Sequence, residues 1–221
     1  MCAASTATSS CMSNVGILAY GSLIRDAGTE ISPLIERRIL TTTPFPVEYG
    51  RLSQTRGGAP TVVPHSSGCP VKAEVLVLSD SLSLEDAKSL LWPREARKEG
   101  SGGAYQKSLS PNAMVIRDAP GFCGLDHVLY TDFNAGGKLS DPDPRALAKA
   151  AIDSVATAPS GKDGISYLMN LMNAGVVTAL TPRYEEEILD LTGSASLAEA
   201  LVLVRARKHR GCFDGQIQIR G

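Results

Sequence analysis

Two stretches of this 221-residue chain combine residue types that could do chemistry: "GILAYGSLIRDAG", residues 16–28, and "LSLEDAKSLLWPREARKEGSGGAY", residues 82–105. In the first, an apolar run ends abruptly in Tyr20-Gly21-Ser22. A strand that stops at such a turn leaves successive backbone N–H groups pointing forward, and Gly21 is expected to supply an unusual backbone angle and room for close approach. The result is a cradle for a carboxylate or phosphate built from main-chain donors, with the Tyr20 and Ser22 hydroxyls beside it. A plain strand-to-loop turn is the other reading of the same residues. In the second stretch, Pro93 disfavours helical geometry at Trp92, so a short helix is expected to end there and to place Arg94 and Glu95 just beyond its end. Glu95 with Arg97, Lys98 and Glu99 also reads as a solvated charged face. The loop "GSGGAY" has neither the lysine of a P-loop nor the spacing of a dinucleotide fingerprint.

Strands must present these residues. Runs rich in Val, Ile, Leu and Tyr predict strands at Val15–Tyr20, Val47–Gln54, Pro60–Val63, Val71–Leu78, Ala113–Arg117 and Asp126–Phe133. One helix is predicted over Leu84–Trp92, with Ser83 as N-cap and Glu85 and Asp86 in its first turn. A shorter helical piece is predicted at Glu30–Arg38. After "DPDP" (Asp141–Pro144) the spacing turns helical, at Arg145–Val155, Gly164–Met172, Pro182–Leu191 and Ala198–Arg207. Strands first and helices later predict an α+β fold. No internal repeat or linker divides the chain, so residues 15–208 are expected to form one domain, after a flexible lead (1–14) and before a mobile tail (209–221).

Composition narrows the function classes. Twenty-two basic residues against 23 acidic ones leave a net charge of −1, with no electrostatic footprint for nucleic acid or an anionic membrane surface. No apolar run approaches the roughly 18 residues that span a bilayer. The first residues lack the basic start and apolar core of a secretory signal, so a cytoplasmic protein is expected. The five cysteines form no CxxC pair and the three histidines stand singly. Reduced thiols, no metal and no organic cofactor are the expectation.

"AYGSLI" followed by an "L-x-x-R-E…GG-x-Y" element resembles the γ-glutamyl cyclotransferase superfamily, most of all its ChaC-like, glutathione-degrading branch. "EYGRLSQTRGGAPTVVP", "VKAEVLVL", "HVLYTDF" and "APSGKDGISYLMNLMNAG" are similar to further elements of that family in the expected order, so the resemblance spans about residues 15–175. The resemblance implies a small mixed β-barrel surrounded by helices. It also implies a cofactor-free reaction in which the α-amino group of a γ-glutamyl unit attacks its own γ-carbonyl, giving 5-oxoproline and a released amine or peptide. Glu95 is implied as the base, Tyr20, Gly21, Ser22 and Leu23 as the cradle for the α-carboxylate, and Tyr105 and Tyr130 as orienting groups. Arg56 is implied as a partner for a second carboxylate.

The ChaC-like pattern keeps the Arg-Glu pair close to its Gly-Gly-Tyr, whereas here extra residues separate Arg94-Glu95 from Gly102, Gly103 and Tyr105. Glu99 is therefore the rival base. Arg25 follows "YGSLI" where ChaC-like chains commonly carry tryptophan. The implied partner is a small γ-glutamyl substrate, with homodimerisation open. Cyclisation of γ-glutamyl amines or amino acids is the close alternative, and a non-catalytic small-molecule binding member of the fold is another. A serine hydrolase built on Ser22 lacks the Gly-x-Ser-x-Gly elbow and a placed histidine.

Overall fold

A computed structural model describes residues 14–96, 100 and 103–217, with side chains as far as Arg207. The chain forms strands β1 (Val15–Ala19), β2 (Ile35–Thr42), β3 (Val47–Ser53), β4 (Ala59–Pro64), β5 (Lys72–Leu78), β6 (Met114–Asp118) and β7 (His127–Phe133). Its helices are α1 (Leu84–Ala96), α2 (Pro144–Thr157), α3 (Gly164–Asn173), α4 (Thr181–Thr192) and α5 (Leu197–Ile217). Five strands make a mixed sheet in the order β2-β5-β1-β7-β6, with β1 antiparallel to β5 and parallel to β7.

Every residue of β1 is buried, because both faces of the central strand are covered. Side chains alternate along a strand, so Leu18 and Tyr20 enter one core while Val15, Ile17 and Ala19 enter another. The first core is closed by α2–α5, through residues such as Leu147, Ile165, Leu168 and Ile188; the second is closed by α1 through Ala87 and Leu91. Each fully buried Ile or Leu stabilises the fold by about 1.5–3 kcal/mol, so the strand that carries the turn is firmly anchored.

Three expectations are corrected. The sheet is open and not a closed barrel: among the described residues, β2 and β6 are its two edges, and β3 and β4 form a separate two-stranded ribbon. That ribbon meets the loop before β5 only through an isolated bridge between Val47 and Cys69. Closure needs a continuous ladder with consistent stagger, which a detached ribbon cannot supply. Glu30–Arg38 is not helical; after a short turn at Ser32–Leu34, Ile35–Thr42 pairs along β5. The exposed run Glu36-Arg37-Arg38 imitates a helix surface, but its charges suit an unpaired sheet edge, and Arg38 meets Glu74 of β5 at 2.7 Å.

Third, α1 does not stop before Pro93. It continues to Ala96, with Leu91 and Pro93 buried against the second core, so Glu95 lies in the last helical turn. Packing outweighs the pre-proline preference and the lost amide donor. The helix predicted over Ala198–Arg207 is α5, whose backbone runs to Ile217. Of the expected lead, residues 1–13 lie outside the described residues.

Two glycines fix the surroundings of the turn. Gly164 opens α3 where it crosses α2: an added Cβ would lie 2.7 Å from Ala151, so no larger residue fits that crossing. Gly57 ends the β3–β4 connection in the left-handed region (φ 65°) and accepts a bond from Thr157 Oγ1 at 3.2 Å. This ties the Gln54–Arg56 turn to the end of α2. Among the described residues no helix is long and apolar enough to cross a membrane, and no group of His, Cys, Asp and Glu could hold a metal.

Candidate active site

β1 delivers Tyr20, whose hydroxyl donates to the Thr131 carbonyl of β7 at 2.6 Å in a buried setting. The chain then turns through a single 3-10 turn at Ser22–Ile24, closed by Ile24 N–H donating to the Gly21 carbonyl at 3.3 Å. Among the described residues no hydrogen bond uses the amides of Gly21, Ser22 or Leu23. Three consecutive uncommitted donors at a cavity wall are chemically suited to an anion. Gly21 has φ −134°, outside the left-handed region, so its value here is space. A Cβ at this position would meet Tyr167 Oη at 3.3 Å and Val62 Cγ2 at 3.6 Å.

α1 delivers Arg94 and Glu95. The Arg94 guanidinium lies 3.5 Å from the Asp26 carboxylate and 3.5 Å from Glu95, and it also donates to the Asp26 carbonyl. It therefore ties the helix end to the segment just after the cradle. Glu95, with its side chain 21% exposed, accepts from Thr131 Oγ1 at 3.4 Å. Thr131 thus contacts Tyr20 with its main chain and Glu95 with its side chain.

These groups line one cavity of about 350 Å³, which takes in Tyr20, Gly21, Ser22, Leu23, Arg56 and Glu95. Six of the residues singled out in the sequence share this space. Tyr105 and Tyr130 do not line it. The Tyr105 hydroxyl accepts from the Ile116 amide at 3.0 Å, fastening its loop to β6, and Tyr130 stacks on Phe45 with centroids 4.4 Å apart. Both act as packing tyrosines. Glu99 and Gly102 lie outside the described residues.

The cavity also holds residues for which the sequence offered no signal. Tyr167, from α3, is buried; desolvation pushes its phenol up to about 12, against the pull of the Arg56 guanidinium, while the Glu95 charge pushes it further up. Burial, and then the Glu95 charge, likewise hold the Tyr20 phenol well above its ordinary value. Both tyrosines are therefore neutral donors at physiological pH. Arg56 stacks over the Tyr167 ring at 4.7 Å, donates to the Lys162 carbonyl at 3.3 Å and has no carboxylate partner among the described residues. Arg51 lies 4.1 Å over the Phe133 ring, its pKa lowered by desolvation, also without an acidic partner among the described residues. Arg51 stands five residues before Arg56 in "RLSQTR", where single-sequence reading cannot distinguish it from surface charge.

The arrangement brings together a carboxylate, a row of uncommitted amides and two cations that have no acidic partner among the described residues. No family model and no curated protein matches the chain. A solved structure of a γ-glutamyl cyclotransferase specific to glutathione, from yeast, is similar to it with a TM-score of 0.44 at 10% identity, covering 81% of this chain and 99% of that one. So distant a likeness decides nothing about the site.

Proposed function

We propose that this chain is a γ-glutamyl cyclotransferase, converting a γ-glutamyl compound to 5-oxoproline with release of the amine or peptide. The observation that carries the reading is that the Glu95 carboxylate and the uncommitted amides of Gly21–Leu23 line the same small cavity. In this mechanism the amides hold the substrate's α-carboxylate, which places the adjacent amine near Glu95, and Arg56 is a partner for a second carboxylate. Holding both reacting groups of one molecule in a folded geometry can supply an effective molarity of about 10⁵–10⁸ M.

The amine starts as an ammonium with a pKa of about 8. Glu95 takes one proton; the freed nitrogen attacks the γ-carbonyl carbon and the ring C–N bond forms. Glu95 passes that proton to the leaving nitrogen and then takes the second proton from the ring nitrogen. As the tetrahedral centre collapses, the bond to the leaving nitrogen breaks. The amine receives this second proton and departs as an ammonium, leaving a neutral lactam and an ionised Glu95. Protons and electrons balance without water or a co-reactant. Thr131 Oγ1 steadies the carboxylate, and Arg94 keeps the helix end against the cradle segment. Arg51 is the second cation of the cavity, suited to a carboxylate on the leaving half, which makes glutathione the first substrate to try.

The test is incubation with glutathione, γ-glutamyl amino acids and γ-glutamyl amines, with 5-oxoproline as the readout. Glu95→Gln should lower the rate about 10²–10⁴-fold with KM nearly unchanged, since the amide keeps the shape but cannot take the proton. Lactam formation that survives Glu95→Gln but not Glu99→Gln would move the base to the glycine loop. No lactam from any compound would leave a binding protein in place of an enzyme.

A further inference from the structure

A second cavity, of about 660 Å³, shares Gly21, Ser22, Arg56, Arg94 and Tyr167 with the first but includes neither Glu95 nor Arg51. Its own walls come from the segment after the cradle (Arg25, Asp26) and from α3 with the loop before it (Lys162, Asn170). Four cations line it, Arg25, Arg56, Arg94 and Lys162, against the single carboxylate of Asp26, and that carboxylate lies against Arg94.

Among the described residues the remaining cations have no acidic partner. Arg25 there donates to the neutral Asn170 Oδ1, at 2.8 Å, which leaves the Asn170 amide nitrogen as a donor. Lys162 makes no side-chain bond or ion pair among the described residues. Arg56 is the decisive group. It is 8% exposed, and its partners are a main-chain carbonyl and a ring face, so its charge is desolvated without an opposing charge. A buried cation in that condition is costly, and a bound anion relieves the cost. Arg25 and Lys162 come from separate walls, so a ligand with two anionic groups can offer one to each. Guanidinium, ammonium, amide and hydroxyl are all donors suited to oxyanions.

We propose that this second cavity binds a small polyanion, a molecule with at least two carboxylate or phosphoryl charges, on the side of the Tyr20–Leu23 turn that does not hold Glu95. The site shares Arg56 and the Gly21–Ser22 wall with the reading above, but Arg25 and Lys162 line this cavity alone, so binding that depends on them stands or falls apart from lactam formation. The experiment is titration calorimetry of the full chain at low ionic strength with citrate, with pyrophosphate, and with acetate as the monoanion. Citrate or pyrophosphate should bind and raise the melting temperature. The dissociation constant should rise about tenfold in Arg25→Gln or Lys162→Gln and further in the double variant, whose melting temperature should no longer respond to the anion. Preference for pyrophosphate would assign a phosphoryl ligand, and preference for citrate a polycarboxylate. Acetate binding as tightly as either would remove the polyanion. Absence of binding at tens of millimolar, or equal binding by wild type and the double variant, would overturn the site.

Discussion

Gly21 offers the sharpest test of the cradle geometry, because its missing side chain is measured against a named atom. Gly21→Ala places a methyl 3.3 Å from Tyr167 Oη and 3.6 Å from Val62 Cγ2. The second distance is an ordinary contact; the first requires the phenol to give by a few tenths of an ångström. The phenol is buried and its oxygen is hydrogen-bonded to the Val62 backbone, so it cannot swing aside as an exposed side-chain tip would. Weakening that bond should cost about 1 kcal/mol. Gly21→Ala alone should therefore lower stability by about that much. The contact emerges in a double-mutant cycle. Tyr167→Phe removes the crowded oxygen, so adding Gly21→Ala to it should cost less than adding it to wild type, with a coupling of about 1 kcal/mol. Urea unfolding of the four proteins reads this directly, and in a chain this long the same energy is about 2–4 °C in melting temperature. Additive changes would mean that Gly21 does not face Tyr167. In the cyclotransferase assay Gly21→Val, whose branched side chain would extend over the amides, should abolish turnover, while Ser22→Ala should be mild because the main chain makes the contact.

Three further outcomes are expected. Arg56→Gln should raise KM for a γ-glutamyl substrate more than it lowers kcat; a pure kcat loss would deny it the carboxylate. Glu48 is wholly buried without a cation and accepts from the Tyr49 amide at 2.9 Å, the Leu180 amide at 3.0 Å and Thr178 Oγ1. Glu48→Gln sets an NH2 against a donor, so urea unfolding should show a loss of about 2–4 kcal/mol, and an unchanged midpoint would refute the arrangement. The raised Tyr167 phenol titrates near 12, against the ordinary 10.0, so between these values the unfolded state has released a proton that the folded state keeps. Stability should therefore fall by about 1.4 kcal/mol per pH unit from this group as pH rises from 10 towards 12, with tyrosinate absorbance lagging until the chain unfolds; early ionisation of every phenol would contradict the burial.

Local sequence carried the pieces whose chemistry is local. The apolar run into Tyr20-Gly21-Ser22 was legible because a buried strand and a glycine turn leave residue-type signatures, and the capped helices after Asp141 did so for the same reason. β2 was hidden because its exposed edge carries Glu36, Arg37 and Arg38, charges that a helix surface would also carry. Pro93 was read by a rule about backbone preference, whereas the burial of Leu91 and Pro93 decided the matter. Tyr167, Thr131 and Arg51 join the cavity only through tertiary packing, and nothing in their neighbours' identities announces it. Tyr105 and Tyr130 lie outside the cavity, held by Ile116 and Phe45, which shows that nearness to a motif in sequence does not bring a tyrosine to the same space.

Thr131 also bears on the order in which the molecule is made. Its carbonyl and hydroxyl serve Tyr20 and Glu95, and the bond to Tyr20 spans 111 residues of sequence. The parallel pairing of β1 with β7 cannot be a hairpin, so the intervening strands and α1 must emerge from the ribosome before the two meet. Until then the nascent chain has the turn but no floor beneath it. Contacts so distant in sequence close slowly, which makes the cavity a late product of folding.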